Sequence, residues 1–281
     1  MALWLPLKPA AQGMRLLGES VAPVYEGFER NVDGSFNLLF GYYNRNWEEE
    51  IDVPIGPDNR IEPGSADQGQ STHFLPQRNR FIFTIRVPAN FGAKEVVWTL
   101  VTKGERQQAF GTLKPPYEVD DTSVTANVGD GGFTGLHPDM VGNKAPTLDV
   151  EGDSSRTARV GESVTLRAVA VDDGLPRPRA LSPTLGRQRY VPEAATGLRL
   201  SWFIYRGGGE AAFDPPQTKV WEDLRDGGNS PWSAGWKTPP LPTDNRWVVR
   251  ATFKQPSTYV LRCLAHDGGL TAHRDLTFVV H

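Results

Sequence analysis

The sequence predicts an all-β protein made of two antiparallel β-sandwich domains in tandem, with long loops. The clearest observation is the segment 257–280, where apolar and polar residues alternate on both sides of Asp267-Gly268-Gly269, the pattern of a β-hairpin. In addition, 29 glycines and 23 prolines separate short runs of strand-forming residues, which favours many turns and very little helix. Finally, 281 residues exceed one sandwich of roughly 100 residues, so we expect two domains.

Residues 20–120 are predicted to form the first sandwich, and residues 1–19 an extended N-terminal arm. Apolar and polar residues alternate over short runs separated by turn signals such as Asp33-Gly34. The predicted strands cover residues 24–31, 35–44, 48–53, 80–87, 95–102 and 107–113. Residues 54–70 are rich in proline and glycine, so we expect a loop there.

Aromatic and acidic residues of the first domain raise two functional hypotheses. Tyr42, Tyr43 and Trp47 suit a sugar-stacking platform, although adjacent strand residues face opposite sides and only one of the tyrosines can join it. Burial in the core or at an interface is the commoner use of such residues. Glu48-Glu49-Glu50 and Asp52 form a dense acidic patch, which we interpret as a solvated strand edge rather than a catalytic carboxylate pair.

Two phrases of this first half carry a resemblance. VYEGFERNVDGSFNLLFGYYNRNWEEEIDVPIG and FLPQRNRFIFTIRVP resemble an uncharacterised extracytoplasmic domain of predicted secreted proteins from Gram-negative-type bacteria. The resemblance brings no catalytic motif. It implies a location in the bacterial envelope.

Residues 121–145 are predicted to form a linker between the domains. They are rich in glycine, aspartate and asparagine and lack a strand pattern, and a structureless run of this length is uncommon inside a domain. His137 has no second histidine nearby, which argues against a zinc site.

Residues 146–281 are predicted to form the second sandwich. The order of motifs, NKAP, VGE with an alternating strand, DDG, SW, TYVL, DGG and a final alternating strand, resembles a PKD-type or related bacterial immunoglobulin-like domain. The resemblance implies that Trp202 is the central buried tryptophan of such a fold. The chain departs from the pattern because Tyr259 precedes Cys263 by four positions instead of two, so we do not expect a tyrosine corner.

Three aspartates of the second domain are candidate metal ligands. Asp172 and Asp173 follow one predicted strand and Asp267 another, and both strands end at the same pole of the sandwich. We interpret these DDG and DGG sequences first as ordinary turns. The alternative is a calcium site, because calcium prefers carboxylate oxygens. No other cofactor is expected.

Two long insertions and the N-terminal arm hold the candidate partner-binding residues. These residues are Leu3, Trp4, Leu5, Leu7, Arg187, Arg189, Trp232 and Trp236. Arginine and tryptophan are favoured at the centres of protein interfaces, and an extended apolar arm suits docking on a protein or a membrane surface. The alternative is that the arm packs on its own domain and that the insertions cover their own sheet.

Charge and cysteine content narrow the possible functions. Lys and Arg number 30 against 33 Asp and Glu, with no block of like charge, which argues against nucleic-acid binding. Cys263 is the single cysteine, so no intramolecular disulfide forms, and we expect it as a small buried core residue. The apolar N-terminus lacks a basic segment and is broken by Pro6 and Pro9, so we expect neither a signal peptide nor a membrane span.

These observations predict a non-catalytic structural or protein-binding subunit, an accessory component of a membrane-associated assembly in the periplasm or at the cell surface. No Ser-His-Asp, Cys-His or metal-ligand spacing in the sequence indicates an enzyme. A carbohydrate-binding or adhesive cell-surface module is the alternative.

Overall fold

The computed structural model describes residues 15–127, 137–181 and 194–281, and their regular secondary structure is almost entirely strand. Strands hold 46% of the residues and helices 5%, which confirms the all-β prediction. A short helix, α1 (Asp121–Thr125), begins where the Asp120 carboxylate accepts a hydrogen bond from the Ser123 amide. In the parts of the chain described, no helix has the length and apolar character needed to cross a bilayer.

The first domain contains eight strands. They are β1 (Val21–Arg30), β2 (Phe36–Asn44), β3 (Ile51–Asp52), β4 (Asn59–Glu62), β5 (His73–Phe74), β6 (Gln77–Val87), β7 (Val96–Thr102) and β8 (Glu105–Gly111). One sheet has the order β1-β2-β6 and the other β4-β7-β8, while β3 pairs with β5. The loop expected over 54–70 is wrong in part, because β4 lies within it and pairs with β7 through the buried residues Asn59 and Ile61.

An aromatic core fills the space between these sheets. Trp98 is fully buried, and its ring meets Phe83 edge-on with centroids 5.0 Å apart. Its indole N–H donates to Asn59 Oδ1 at 3.0 Å, and the Asn59 amide donates to the carbonyls of Val53 and Ser71 at 2.9 and 2.8 Å. Asn59 therefore accepts the hydrogen bond of the buried Trp98 N–H and connects the irregular 53–71 segment to the core.

Eight strands are also found among the described residues of the second domain. They are β9 (Thr147–Val150), β10 (Ser155–Ala158), β11 (Ser163–Val171), β12 (Arg199–Arg206), β13 (Ala211–Asp214), β14 (Arg246–Phe253), β15 (Ser257–His266) and β16 (Thr271–Val280). The sheets have the orders β13-β14-β11-β9 and β10-β16-β15-β12, and only β10 pairs in parallel, with β16, among the paired strands described. This is the A-B-E-D and A′-G-F-C arrangement of an immunoglobulin-like sandwich.

The hairpin of β15 and β16 forms as predicted, in a continuous antiparallel register from Ser257 opposite Val280 to His266 opposite Thr271. Trp202 and Cys263 lie opposite each other on neighbouring strands and are almost completely buried in the core. The expectation that no tyrosine corner forms is wrong. The Tyr259 hydroxyl donates to the Gln255 carbonyl at 3.0 Å, a bond that fixes the corner between β14 and β15.

The two sandwiches meet across an apolar surface that we call the seam. Its centre consists of Leu75 from the first domain with Phe203 and Tyr205 of β12, all less than 10% exposed. Around it pack the partly buried side chains of Ile82, Val220, Trp221, Val260 and Leu264. The seam joins the outer face of the β12–β15 sheet to the β5–β6 region of the first domain.

A buried cation lies in the seam beside this apolar cluster. The Arg262 guanidinium lies 3.5 Å from the centre of the Tyr205 ring, donates to the Ile82 carbonyl of the first domain, and binds Asp275 bidentately at 2.7 and 2.8 Å. On the other side of Tyr205, Ser71 donates to its backbone carbonyl at 3.0 Å. Each of the three guanidinium nitrogens of Arg262 therefore donates at least one hydrogen bond, two of them to Asp275 of its own domain and one to the first domain.

We predict that Arg262→Gln lowers the free energy of unfolding by about 3 kcal/mol, because removing one partner of a buried ion pair leaves the other unpaired. Urea denaturation followed by tryptophan fluorescence measures this loss. Arg250→Gln is the matched control, since Arg250 and Asp214 are more than 60% exposed and such surface pairs contribute less than about 1 kcal/mol. Equal losses for the two variants would contradict a special role for the seam cation.

Candidate functional site

The candidate site is an open cleft where the short β3–β5 pair faces the turn between β12 and β13. We call it the interdomain cleft. It is lined by Glu48, Glu50, Asp52, His73, Ile204, Gly209, Glu210, Ala211 and Gln255. Both domains contribute to it, so its shape depends on the seam.

An apolar pocket continues from the floor of the cleft. The two share Glu50, His73, Ile204 and Ala211. The further walls of the pocket come from Leu75, Trp202, Phe203, Phe213, Val220 and Trp221, together with polar residues of the 216–219 segment. The result is one continuous surface with carboxylates at one end and aromatic side chains at the other.

His73 occupies the centre of this surface, held between two carboxylates. Its Nδ1 lies 2.7 Å from Asp52 and its Nε2 lies 3.0 Å from Glu50. Burial alone would lower the pKa of His73, but the hydrogen bonds and charges of the two carboxylates outweigh it and raise the pKa to about 9. The imidazolium therefore donates from both nitrogens, and neither is free to remove a proton from a substrate.

The other members of the predicted acidic patch are paired as well. Glu48 binds Arg225 at 3.0 Å across the domain boundary, and Glu49 binds Lys103 at 2.5 Å. Glu48, Glu50 and Asp52 remain between 41% and 53% exposed, so these carboxylates are solvated as expected, and they are in addition paired with basic side chains. In the residue ranges that the structure covers, no group of three or more His, Cys, Asp and Glu side chains is placed to hold a metal ion.

Close backbone contacts hold the second-domain wall of the cleft in place. The amide of Gly207 donates to Thr72 Oγ1 at 3.0 Å, and the amide of Gly209 to Asp52 Oδ2 at 3.4 Å. Both glycines have positive φ, and a Cβ on Gly207 would come within 2.5 Å of the Thr258 carbonyl oxygen. Glycine is required there because any side chain would clash with the backbone of β15 and displace the turn.

The residues of the hypothetical sugar-stacking platform do not share one face, and Tyr42 and Tyr43 point to opposite sides as strand alternation predicts. Tyr42 is buried and its hydroxyl accepts a hydrogen bond from the Leu75 amide at 3.0 Å, while Tyr43 is 38% exposed on the opposite face. Trp47 is half-buried, with the Arg225 guanidinium 5.4 Å from its ring centre. The structure thus leaves the three rings without a common exposed surface, and glycan binding stays an untested alternative.

The three candidate calcium ligands lie at one pole of the second sandwich, where each is engaged with backbone amides. Asp267 is fully buried, and its Oδ1 accepts from Gly269 and Leu270 at 2.6 and 2.7 Å. Burial raises the pKa of Asp267 to about 6, outweighing these hydrogen bonds. Asp172 accepts from Gly174 at 3.0 Å, and Asp173 from Leu175 at 2.9 Å. Turn chemistry accounts for these bonds, and calcium binding stays a prediction.

The candidate partner-binding residues are only partly described. Leu3, Trp4, Leu5, Leu7, Arg187 and Arg189 lie outside the described residues. The candidates Trp232 and Trp236 lie in the loop 231–236. Trp232 is only 5% exposed, so it does not present its ring to a partner. Trp236 is half-buried, with its ring facing the Arg199 guanidinium. This loop covers the outer face of its own sheet, as the alternative interpretation expected. A role in partner binding is untested for all eight residues.

Sequence reasoning missed the cleft because its two walls are about 140 residues apart along the chain, as the Ser71–Tyr205 and Arg206–Asp67 contacts show. A local signal was present in β12. Its second half, Trp202 to Tyr205, is apolar at every position, which is typical of a strand covered on both faces. That run indicated that the outer face of this sheet packs against something.

Comparisons with known proteins add little to this description. No family model matches the chain, and no curated protein matches it. Among solved structures, immunoglobulin domains 1–4 of Sidekick-1 are 13% identical with a TM-score of 0.24, covering 92% of this chain, which spans only 47% of that one. Fibronectin(III)-like modules of Clostridium thermocellum CbhA are 9% identical with a TM-score of 0.24, covering 93% and 94%. At such scores the likeness carries no argument about the fold or the function.

We predict that His73→Gln destabilises the protein at neutral pH and much less at pH 10. The folded-state pKa of about 9 lies above the ordinary 6.5, so the stabilisation is complete below about pH 6.5 and is lost as pH rises through 9. The difference from wild type, about 3 kcal/mol at most near pH 6, is measured by urea denaturation across this range. A difference that does not shrink with rising pH would show that His73 acts without its charge.

Proposed function

We propose that this chain is a non-catalytic protein-binding subunit that presents a rigid two-domain body to a partner in a larger assembly outside the cytoplasm. The observation that carries the proposal is the interdomain cleft, an acidic rim that continues into an apolar pocket. The occupant that fits this surface is an extended segment of a partner protein carrying a lysine or arginine next to a large apolar residue.

The charge of the cleft favours a basic segment. Glu48, Glu50, Asp52 and Glu210 line it, and the imidazolium of His73 is the cation among its lining residues. The carboxylates of Glu48, Glu50 and Asp52 remain between 41% and 53% exposed although each is paired. They are therefore ordered and still open to a cationic side chain, which gives orientation and specificity more than raw affinity.

The apolar pocket supplies the anchor. Trp221 and Phe213 are half-buried, so each presents part of its ring to the pocket. Buried apolar or aromatic anchors surrounded by a polar rim are where binding energy concentrates in protein interfaces. The seam holds both walls in place before binding, which reduces the entropy lost on association.

Location in the envelope and membership of a membrane-associated assembly are parts of the proposal supported by the sequence alone. The resemblance of the first half to extracytoplasmic domains supports the location. The apolar segment Leu3-Trp4-Leu5 supports a second contact, with a protein or with the membrane surface. Neither feature indicates a reaction.

Neutralising the rim tests the proposal. The partner is first identified by native pull-down and mass spectrometry. We predict that the double variant Glu48→Gln, Glu210→Gln lowers the affinity for this partner about tenfold or more at low salt. The loss is smaller at high salt, because ionic strength screens the charge pairs. Glu118→Gln is the matched control, because Glu118 is an exposed glutamate that pairs with Arg30, at the end of β1 away from Asn44 and the cleft. The measurement is the dissociation constant with the identified partner. Equal constants for the double variant and wild type would overturn the cleft as the binding surface.

A calcium ion at the Asp172–Asp267 pole is a second, separate proposal, supported by two buried oxygens. Asp172 Oδ1 and Asn143 Oδ1 have no hydrogen-bond partner among the described residues, and the Asn143 amide donates to Asp267 at 3.1 Å. We predict that millimolar Ca²⁺ raises the unfolding temperature and that Asp172→Asn abolishes the rise, with calorimetric titration as the measurement. No heat and no thermal shift would leave these residues as turn formers only.

A further inference from the structure

The strongest unexplained feature lies away from the cleft, at the start of β12. Arg199 is 7% exposed, on the outer face of the β12–β15 sheet beneath the 231–236 loop. Its Nη1 donates to the carbonyls of Ala195 and Gly197 at 3.2 and 3.4 Å. Its Nη2 is buried and has no hydrogen-bond partner among the described residues.

No carboxylate of the described residues forms an ion pair with Arg199. Asp267 is near enough to favour its charged form, but both oxygens of Asp267 are engaged, one by Gly269 and Leu270 and the other by Asn143. Burial lowers the pKa of Arg199 to about 10, so the guanidinium remains charged at neutral pH. A buried charge without a counter-charge is costly, and folded proteins pair such groups or bind an ion there.

A small cavity adjoins this guanidinium. Its walls include Arg199, Ser201, Lys219, Pro231, Trp232 and His266, and it accommodates about one water-sized species. Lys219 is already bound to Asp223 at 2.5 Å. Arg199 is therefore the buried cation of this wall that no described carboxylate contacts directly.

The neighbouring histidine favours an anion. Burial and the charge of Arg199 lower the pKa of His266 well below its usual range, so the ring is neutral. Its Nδ1 accepts a hydrogen bond from the Gly268 amide at 2.9 Å, which places the proton on Nε2. Beside the Arg199 guanidinium, the cavity wall therefore includes the His266 ring N–H as a second donor. The Ser201 hydroxyl is a third potential donor.

We propose that this cavity binds a compact monovalent anion of the halide class, with chloride as the physiological ligand, held by the guanidinium of Arg199. A water molecule would satisfy the N–H group but would leave the positive charge unbalanced. A chloride ion does both. The bound ion links the start of β12 to the loop that covers it, so occupancy stabilises the folded state.

The test is thermal unfolding at constant ionic strength, with chloride replaced stepwise by gluconate, which is too large for the cavity. At a chloride concentration ten times its dissociation constant, linkage raises the folding equilibrium constant about elevenfold over that in gluconate. Arg199→Gln is expected to abolish this dependence, and Arg250→Gln, which removes an exposed arginine, to leave it unchanged. The same chloride response in wild type and Arg199→Gln, or no response in wild type, overturns the proposal.

A crystallographic measurement on the unaltered chain covers the case in which Arg199→Gln does not fold. Crystals grown in bromide are expected to show an anomalous peak in this cavity, at hydrogen-bond distance from the Arg199 guanidinium. A water molecule at that position with no anomalous signal at saturating bromide overturns the proposal. Both results are independent of the interdomain cleft and of any partner bound there.

Discussion

The arrangement of the two domains depends on how the chain buries the charge of Arg262. Its guanidinium stacks on Tyr205 at 3.5 Å, binds Asp275 with two hydrogen bonds and donates to the Ile82 carbonyl of the other domain. Because a buried cation needs all of these contacts at once, the position of β6 relative to β15 is restricted to the one geometry that supplies them. The apolar cluster of Leu75, Phe203 and Tyr205 then closes around this arrangement and excludes water.

The cleft follows from that constraint. With β12 fixed against the 71–75 segment, Asp52 and His73 of the β3–β5 pair face the turn at Gly207 and Gly209. Two carboxylates beside each other repel, and the imidazolium between Glu50 and Asp52 offsets this repulsion. A neutral residue in place of His73 would leave the rim more negative and the β3–β5 pair less firmly held.

The sequence predicted what depends on local alternation and missed what depends on contacts between distant segments. The hairpin of β15 and β16, the buried Trp202 and the buried Cys263 follow from parity along single strands. Strand β4 was missed because prolines and glycines surround its four residues, although Asn59 and Ile61 alternate inward. The seam was missed because Arg262 has outward parity, which predicts solvent exposure when nothing in the local sequence shows a covering domain.

The outer face of the β12–β15 sheet shows why two similar arginines have different surroundings. Arg199 and Arg262 both project from this face and both are less than 10% exposed. The first domain covers Arg262 and brings the Ile82 carbonyl, while Tyr205 of β12 and Asp275 of the adjacent strand β16 supply the ring and the carboxylate from its own domain. The 231–236 loop covers Arg199 with tryptophan and proline, which exclude water without supplying a negative charge. An apolar loop over this face therefore leaves the positive charge of Arg199 without a carboxylate in direct contact. An anion from solution is able to supply that contact.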